Sequence, residues 1–219
     1  MKRAVLFDVG DTLILGHPKL WLWPLLLERG LTPDTSRLQE AIAAAYAEYN
    51  RRHLEAISPE AALPVWRTFH QRLLQGLGLQ DHAEEISRYL AENWQNPKVW
   101  PITPGAEEVL SELKGRGYRL GVVSNWDGLL PGVLEAVGLA PYFDYVAASA
   151  LEGVAKPDPR IFQVVLHRLG VAPEEAVHIG DSPDDMAGAK AAGVTPILFD
   201  PYRQNPEAIH DLREVLGRV

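Results

Sequence analysis

Residues 4–12 read Ala-Val-Leu-Phe-Asp-Val-Gly-Asp-Thr. Four apolar residues in an unbroken run, ended by Asp8, Gly10 and Asp11, predict a short strand buried on both faces rather than one that alternates between core and solvent. Runs of the same kind recur at 120–123, 145–148, 176–179 and 195–199. Between them the chain is punctuated as helices are. Thr103-Pro104 opens a helical pattern that Gly115 and Gly117 stop, Asp158-Pro159 opens one that Gly170 stops, and Pro183 precedes one that Gly193 stops. Strands alternating with helices imply a parallel sheet, so the fold class is α/β.

Working outward from that strand, the strand signal vanishes between Gly16 and Pro101. Leu38, Ile42, Ala45, Tyr46 and Tyr49 form a stripe at helical spacing. Ser58-Pro59 opens a further helix carrying Trp66, Phe69, Leu73 and Leu74, with Pro64 in its early turns. Asp81 with Glu84 reads as a capping box ahead of Ile86, Tyr89, Leu90 and Trp94. The expected organisation is a core made of residues 1–15 and 101–219, with an all-helical insertion at 16–100. Residues near 15–20 and 96–103 are the expected linkers.

Composition narrows the function classes. The 219 residues are 47% hydrophobic and 23% charged, ordinary for a globular chain. With 21 Lys and Arg against 29 Asp and Glu, the net charge of −8 argues against nucleic acid as a partner. The absence of cysteine removes disulfides, thiolate metal sites and thiol nucleophiles, leaving catalysis to carboxylates, hydroxyls, Lys, Arg and His. No run of 18 apolar residues occurs, so a soluble, cytoplasmic protein with no membrane partner is expected.

In a doubly wound sheet the carboxyl ends of the strands converge on one crevice. Four loops at such ends carry unusual chemistry: 8–12 (Asp8, Gly10, Asp11, Thr12), Ser124-Asn125, Lys156-Pro157, and Gly180 to Asp185. Carboxylates of the first and fourth would repel unless a cation lay between them, and hard oxygen donors suggest Mg²⁺. A hydroxyl, an amide and a lysine opposite such a metal suit the oxygens of a phosphate.

The segments 7–13 (FDVGDTL), 122–125 (VVSN), 155–162 (AKPDPRIF) and 178–193 (HIGDSPDDMAGAKAAG), in that order and spacing, resemble the four motifs of the haloacid dehalogenase superfamily. The helical insertion after the first resembles that superfamily's C1 cap. The resemblance spans essentially the whole chain and implies a Rossmann-like core with Asp8 as a nucleophile that forms an aspartyl-phosphate. It implies Mg²⁺ held by Asp8, Asp181 and the Gly10 carbonyl, with Asp185 supporting the metal. It further implies that Ser124, Asn125 and Thr12 hold the phosphoryl group and that Lys156 neutralises charge on Asp8 and the phosphate. The activity implied is a Mg²⁺-dependent phosphatase acting on a small phosphorylated metabolite.

One position departs from the pattern. Superfamily phosphatases usually have an aspartate two residues after the nucleophile, where it protonates the leaving alkoxide; here that residue is Gly10 and the carboxylate comes one place later, as Asp11. This order resembles the subgroup called haloacid dehalogenase-like hydrolase domain-containing protein 3, and it leaves Asp11 as the candidate acid. Two alternatives stay open: a 2-haloacid dehalogenase, which needs neither metal nor that acid, and a phosphate-binding protein that has lost catalysis. Asp184 is expected to cap the following helix. The seven histidines show no metal spacing. Trp126 and Trp23 are the aromatics expected to face the cap, and His17 and Lys19 could touch substrate.

Overall fold

The computed structural model describes residues 2–219, and its centre is the strand β1 (Ala4–Phe7), all four residues of which have no solvent exposure. Parallel neighbours flank it: β2 (Arg119–Ser124) on one side, then β3 (Tyr145–Ala148), and β4 (Ala176–Gly180) on the other, then β5 (Thr195–Leu198). The order is β3-β2-β1-β4-β5. Pairing of Phe7 with Val122 and with Ile179 sets the register, so the chain leaves β1, β2 and β4 at the same level of the sheet. Such Rossmann-like topology gathers the residues after those strands into one crevice.

On one face of the sheet lie α5 (Ala106–Gly115) and α6 (Leu130–Ala136). On the other lie α8 (Arg160–Leu169) and α9 (Pro183–Ala191), with Phe162, Val165 and Ala189 packed beside Leu6. The short α7 (Ser149–Glu152) follows β3. The C-terminal residues add a 3₁₀ turn, Leu212–Gly217, that packs on α5.

Between β1 and α5 every element is helical, the α-helices being α1 (Pro18–Glu28), α2 (Leu38–Arg52), α3 (Pro59–Gly76) and α4 (Ala83–Glu92). Helix α1 was not legible as a periodic pattern, because its residues are apolar all round and Pro24 interrupts it. It begins at Pro18, so the first linker is shorter than the span 15–20 suggests. Ser58 caps α3 by accepting from the Ala61 N–H, as its sequence suggests. The capping box at Asp81 does not form. Asp81 sits in a 3₁₀ turn (Gln80–His82), and the Glu84 carboxylate is drawn away to Gln71 and Arg67 of α3. On α2 the buried face is Leu38, Ala41, Ala45 and Tyr49, while Tyr46 turns toward the crevice.

Entry to and exit from this helical segment lie side by side. The Leu15 N–H donates to the Pro101 carbonyl, the Thr103 N–H donates to the Leu13 carbonyl, and Ile14 bridges Ile102 in antiparallel fashion. One continuous apolar cluster runs from α5 and the sheet through Trp126 into α2, α3 and α4.

Candidate active site

Asp8 follows β1, Ser124 ends β2, and Asp181 follows β4, so the shared register brings the three residues to one place. Lys156 reaches in from the loop between α7 and α8, its ammonium donating to Asp8 Oδ1 and to Asp185 Oδ1, each at 2.6 Å. Its loop is held by Asn125: the side-chain oxygen accepts the Lys156 N–H at 2.7 Å and the side-chain amide donates to the Lys156 carbonyl at 3.0 Å. The Asn125 side chain therefore fixes the lysine, although the residue also borders the crevice.

Asp185, fully buried, is the most constrained carboxylate. Its Oδ2 accepts from the Ser182 hydroxyl at 2.5 Å and the Ser182 N–H at 3.2 Å, and its Oδ1 accepts from Lys156 and from His178 Nε2 at 2.6 Å. An ionised carboxylate only accepts, so the imidazole donates through Nε2. Close approach of Asp185 to the end of β4 requires a residue without a side chain there, since a Cβ on Gly180 would stand 2.3 Å from the Asp185 Cγ. The cap of α9 is thus the Ser182–Asp185 pair, and Asp184, expected in that role, lies exposed in the first turn.

The electrostatics follow from burial and crowding. Burial raises the carboxyl of Asp185, but Lys156 and His178 outweigh it and hold its pKa well below the usual carboxylate range. Burial likewise raises Asp8, and here it prevails over Lys156, with Asp185 adding to the rise. For the lysine, burial favours loss of the proton, but its two carboxylates reverse that and lift its pKa. Among the described residues no cation forms an ion pair with Asp181; burial, then Asp8 and Asp185, outweigh Lys156 and push its carboxyl from 3.8 up to about 9. Carboxylate oxygens of Asp8, Asp181 and Asp185 can all lie within 4.8 Å of one another. Crowded hard donors with one carboxylate left unneutralised fit a divalent cation.

In the loop after β1 the left-handed backbone falls on Asp11, at φ 51°, and not on Gly10. Asp11 Oδ1 accepts from the Gly16 N–H at 2.8 Å and from the Tyr202 hydroxyl at 2.5 Å, fastening the loop to the segment after β5. Thr12 is fully buried, its hydroxyl without a hydrogen-bond partner.

A cavity of about 280 Å³ opens above these groups, bordered at its base by Asp8, Gly10, Asp11, Ser124, Lys156 and Asp181. Its other walls come largely from the helical segment and Trp126. Neither Trp23 nor His17 nor Lys19 borders it; His17 instead caps α1 by accepting from the Lys19 N–H. Beside it, the buried Asp127 accepts from Tyr49 of α2 at 2.8 Å and from Trp66 of α3 at 2.7 Å, tying the loop after β2 to both helices.

The family model described as haloacid dehalogenase-like hydrolase matches residues 2–193. The chain belongs to that family. Among similar haloacid dehalogenase-like hydrolases is the Bos taurus haloacid dehalogenase-like hydrolase domain-containing protein 3, 35% identical over 206 residues that span 90% of this chain and 81% of the relative. A phosphoserine phosphatase of Thermus thermophilus is 36% identical over 97% of this chain and 88% of its own. The crystal structure of a phosphatase of the family from Thermococcus onnurineus superposes with a TM-score of 0.66, at 26% identity, over 100% of this chain and 97% of the other. Within this family frame, His178, Asp127 and Tyr202 are polar residues at the site that sequence reasoning missed, while Ser182 lies in a loop it had marked without a role. A histidine inside the otherwise apolar run 176–179 was the one available signal.

Proposed function

We propose that this haloacid dehalogenase-like hydrolase is a Mg²⁺-dependent phosphatase that cleaves small phosphate monoesters through an aspartyl-phosphate on Asp8. The observation that carries the reading is the buried Lys156 bridging Asp8 and Asp185 at 2.6 Å beside the unpaired Asp181. That set suits a dianionic phosphate and a divalent cation together, and the phosphatase relatives support the same reading. Asp8 and Asp181, with the Gly10 carbonyl, would hold Mg²⁺, and Asp185 would support it from behind. When bound, the cation supplies Lewis-acid stabilisation of the phosphoryl oxygens and lets the carboxylates ionise together.

Asp8 attacks phosphorus in line, the ester P–O bond breaks, and the alcohol departs with a proton taken from solvent. Water then attacks the acyl phosphate, releasing inorganic phosphate and restoring the Asp8 carboxylate. Lys156 offsets charge on Asp8 and on the phosphoryl group throughout. Ser124, at the end of β2 on the cavity wall, contributes its hydroxyl to the phosphoryl oxygens. Asp11 serves as a clasp: its Oδ1 already receives the Gly16 N–H and the Tyr202 hydroxyl, so the side chain is engaged in holding the loop.

Turnover of p-nitrophenyl phosphate tests the reading. Activity should require Mg²⁺, cease in excess EDTA and vanish in Asp8→Asn. Undiminished turnover in EDTA would overturn the Mg²⁺ requirement, and chloride release from 2-chloropropionate with no phosphate release would overturn the reading in favour of a dehalogenase.

A further inference from the structure

We propose that the alcohol half of the substrate is uncharged and carries a single flat apolar ring, so that the enzyme's substrates are arylalkyl phosphates rather than phosphorylated carboxylic acids. This rests on the phosphatase reading above and is carried by the walls of the cavity, whose chemistry divides sharply. Its base holds the carboxylates and the lysine. Its upper walls present Trp21, Tyr46, Trp66, Phe69, Trp94 and Trp100.

Charge decides what those walls reject. Among the described residues, Lys156 is the only lysine or arginine that borders the cavity, and its ammonium is already shared by Asp8 and Asp185. The one histidine at the wall, His70, is buried, and burial pushes its pKa down to about 3, so it brings no positive charge near neutrality. A carboxylate on the leaving group would therefore meet no free lysine, arginine or charged histidine at the wall, only neutral donors such as the unpartnered Trp126 Nε1–H.

Shape and surface decide what they accept. Trp66 meets Trp100 edge to face at 83°, and Tyr46 meets Phe69 at 72°, so the aromatic lining offers both faces and edges to an inserted ring. Ile14, Leu15, Leu90 and Val99 also line the cavity. Aromatic faces also attract a quaternary ammonium, so a choline-like head is the competitor that the test must exclude. At about 280 Å³ the cavity is at the small end of ligand pockets, which sets the size at one ring with its phosphate.

Two measurements on the Mg²⁺-loaded protein test the proposal. The first is calorimetric binding of three phosphonates that cannot be hydrolysed: 2-phenylethylphosphonate, phosphonoacetate and 2-(trimethylammonio)ethylphosphonate. The ring-bearing compound should bind at least tenfold more tightly than either of the others; equal affinities, or preference for the carboxylate or the quaternary ammonium, overturns the proposal. The second is kcat/KM for 2-phenylethyl phosphate, phosphocholine, phosphoserine and phosphoglycolate, all esters of poorly leaving alcohols, with the first expected to lead by about 10². Failure to hydrolyse any of them or p-nitrophenyl phosphate, together with ring-selective binding, would sink the phosphatase reading while upholding the wall preference. Trp100→Ala should raise KM for 2-phenylethyl phosphate about tenfold at unchanged kcat. Leu15→Lys, at the half-buried rim, should bring phosphoglycolate within tenfold of the ring-bearing ester. An unchanged KM in the first variant and an unchanged ratio in the second, both folded, would overturn the proposal.

Discussion

Replacing the Asp181 carboxyl by an amide should stabilise the metal-free protein, and the structure sets how much. Asp181 ionises near pH 3.8 in an unfolded chain, but burial and its carboxylate neighbours push it up to about 9 in the fold. At pH 7 the folded state must therefore keep a proton that the unfolded state has released. The difference between 3.8 and 7 is 3.2 pH units, which at about 1.36 kcal/mol each makes roughly 4 kcal/mol of lost stability. The sign is that of a raised carboxyl: the penalty is absent below pH 3.8, grows as pH rises toward 9 and levels off above it. Asp181→Asn removes it. Urea unfolding in EDTA should show parent and variant equally stable near pH 4, with the variant ahead by about 4 kcal/mol at pH 7 and by more at pH 9. Adding Mg²⁺ should stabilise the parent at pH 8 and leave the variant nearly unmoved. If the gap between the two proteins in EDTA does not change with pH, the crowding argument is wrong.

Lys156→Met leaves two buried carboxylates without their ammonium, so it should cost about 3 to 5 kcal/mol and lower turnover by roughly 10² to 10³, read by urea unfolding and by release of p-nitrophenol. Gly10→Asp should meet no steric strain, because Gly10 does not occupy left-handed backbone and a Cβ there would meet only Trp126, at 4.0 Å. By supplying an acid it should raise the ratio of alkyl to aryl ester turnover by about 10². Asp11→Asn keeps an oxygen for Gly16 and Tyr202 and should leave that ratio unchanged; a selective loss of alkyl turnover would make Asp11 the acid after all. Asp127→Asn must turn its amide group either toward Tyr49 and Trp66, which share one oxygen, or toward the Leu129 N–H that the other accepts, and should cost about 1 to 3 kcal/mol, with faster hydrogen exchange in α2 and α3 as the local readout.

The core strands were legible because β1 and its neighbours are covered on both faces, which leaves short unbroken apolar runs. The helices around them announced themselves through proline at their starts and glycine at their ends, as with Pro183 and Gly193. The helical segment was harder. Helix α1 lacks a polar face, and the pairing of Asp81 with Glu84 by spacing failed because Arg67 and Gln71, distant in sequence, compete for Glu84. At the site, strand ends pointed to Asp8, Ser124 and Asp181, since topology alone gathers them. Partnerships across the fold stayed hidden: Tyr202 reaches Asp11 across 191 positions and Tyr49 reaches Asp127 across 78. A tyrosine in a polar loop carries no mark of the carboxylate it will meet. Nor does Asn125 announce that its amide will be spent on the backbone of Lys156.

The ribbon formed by Leu13, Leu15, Pro101 and Thr103 separates two kinds of engineering. Because departure and return are hydrogen-bonded neighbours, the sheet presents residues 16–100 with a single socket rather than two distant attachment points. A different helical bundle with similarly close ends could be grafted there without altering the spacing of β1 and β2, since insertions are tolerated best where their ends meet. Asp8, Lys156 and Asp181 would stay with the recipient, while the aromatic walls would leave with the excised piece. Such chimeras would let the choice of leaving group be exchanged as a cassette and the bond-breaking groups be kept.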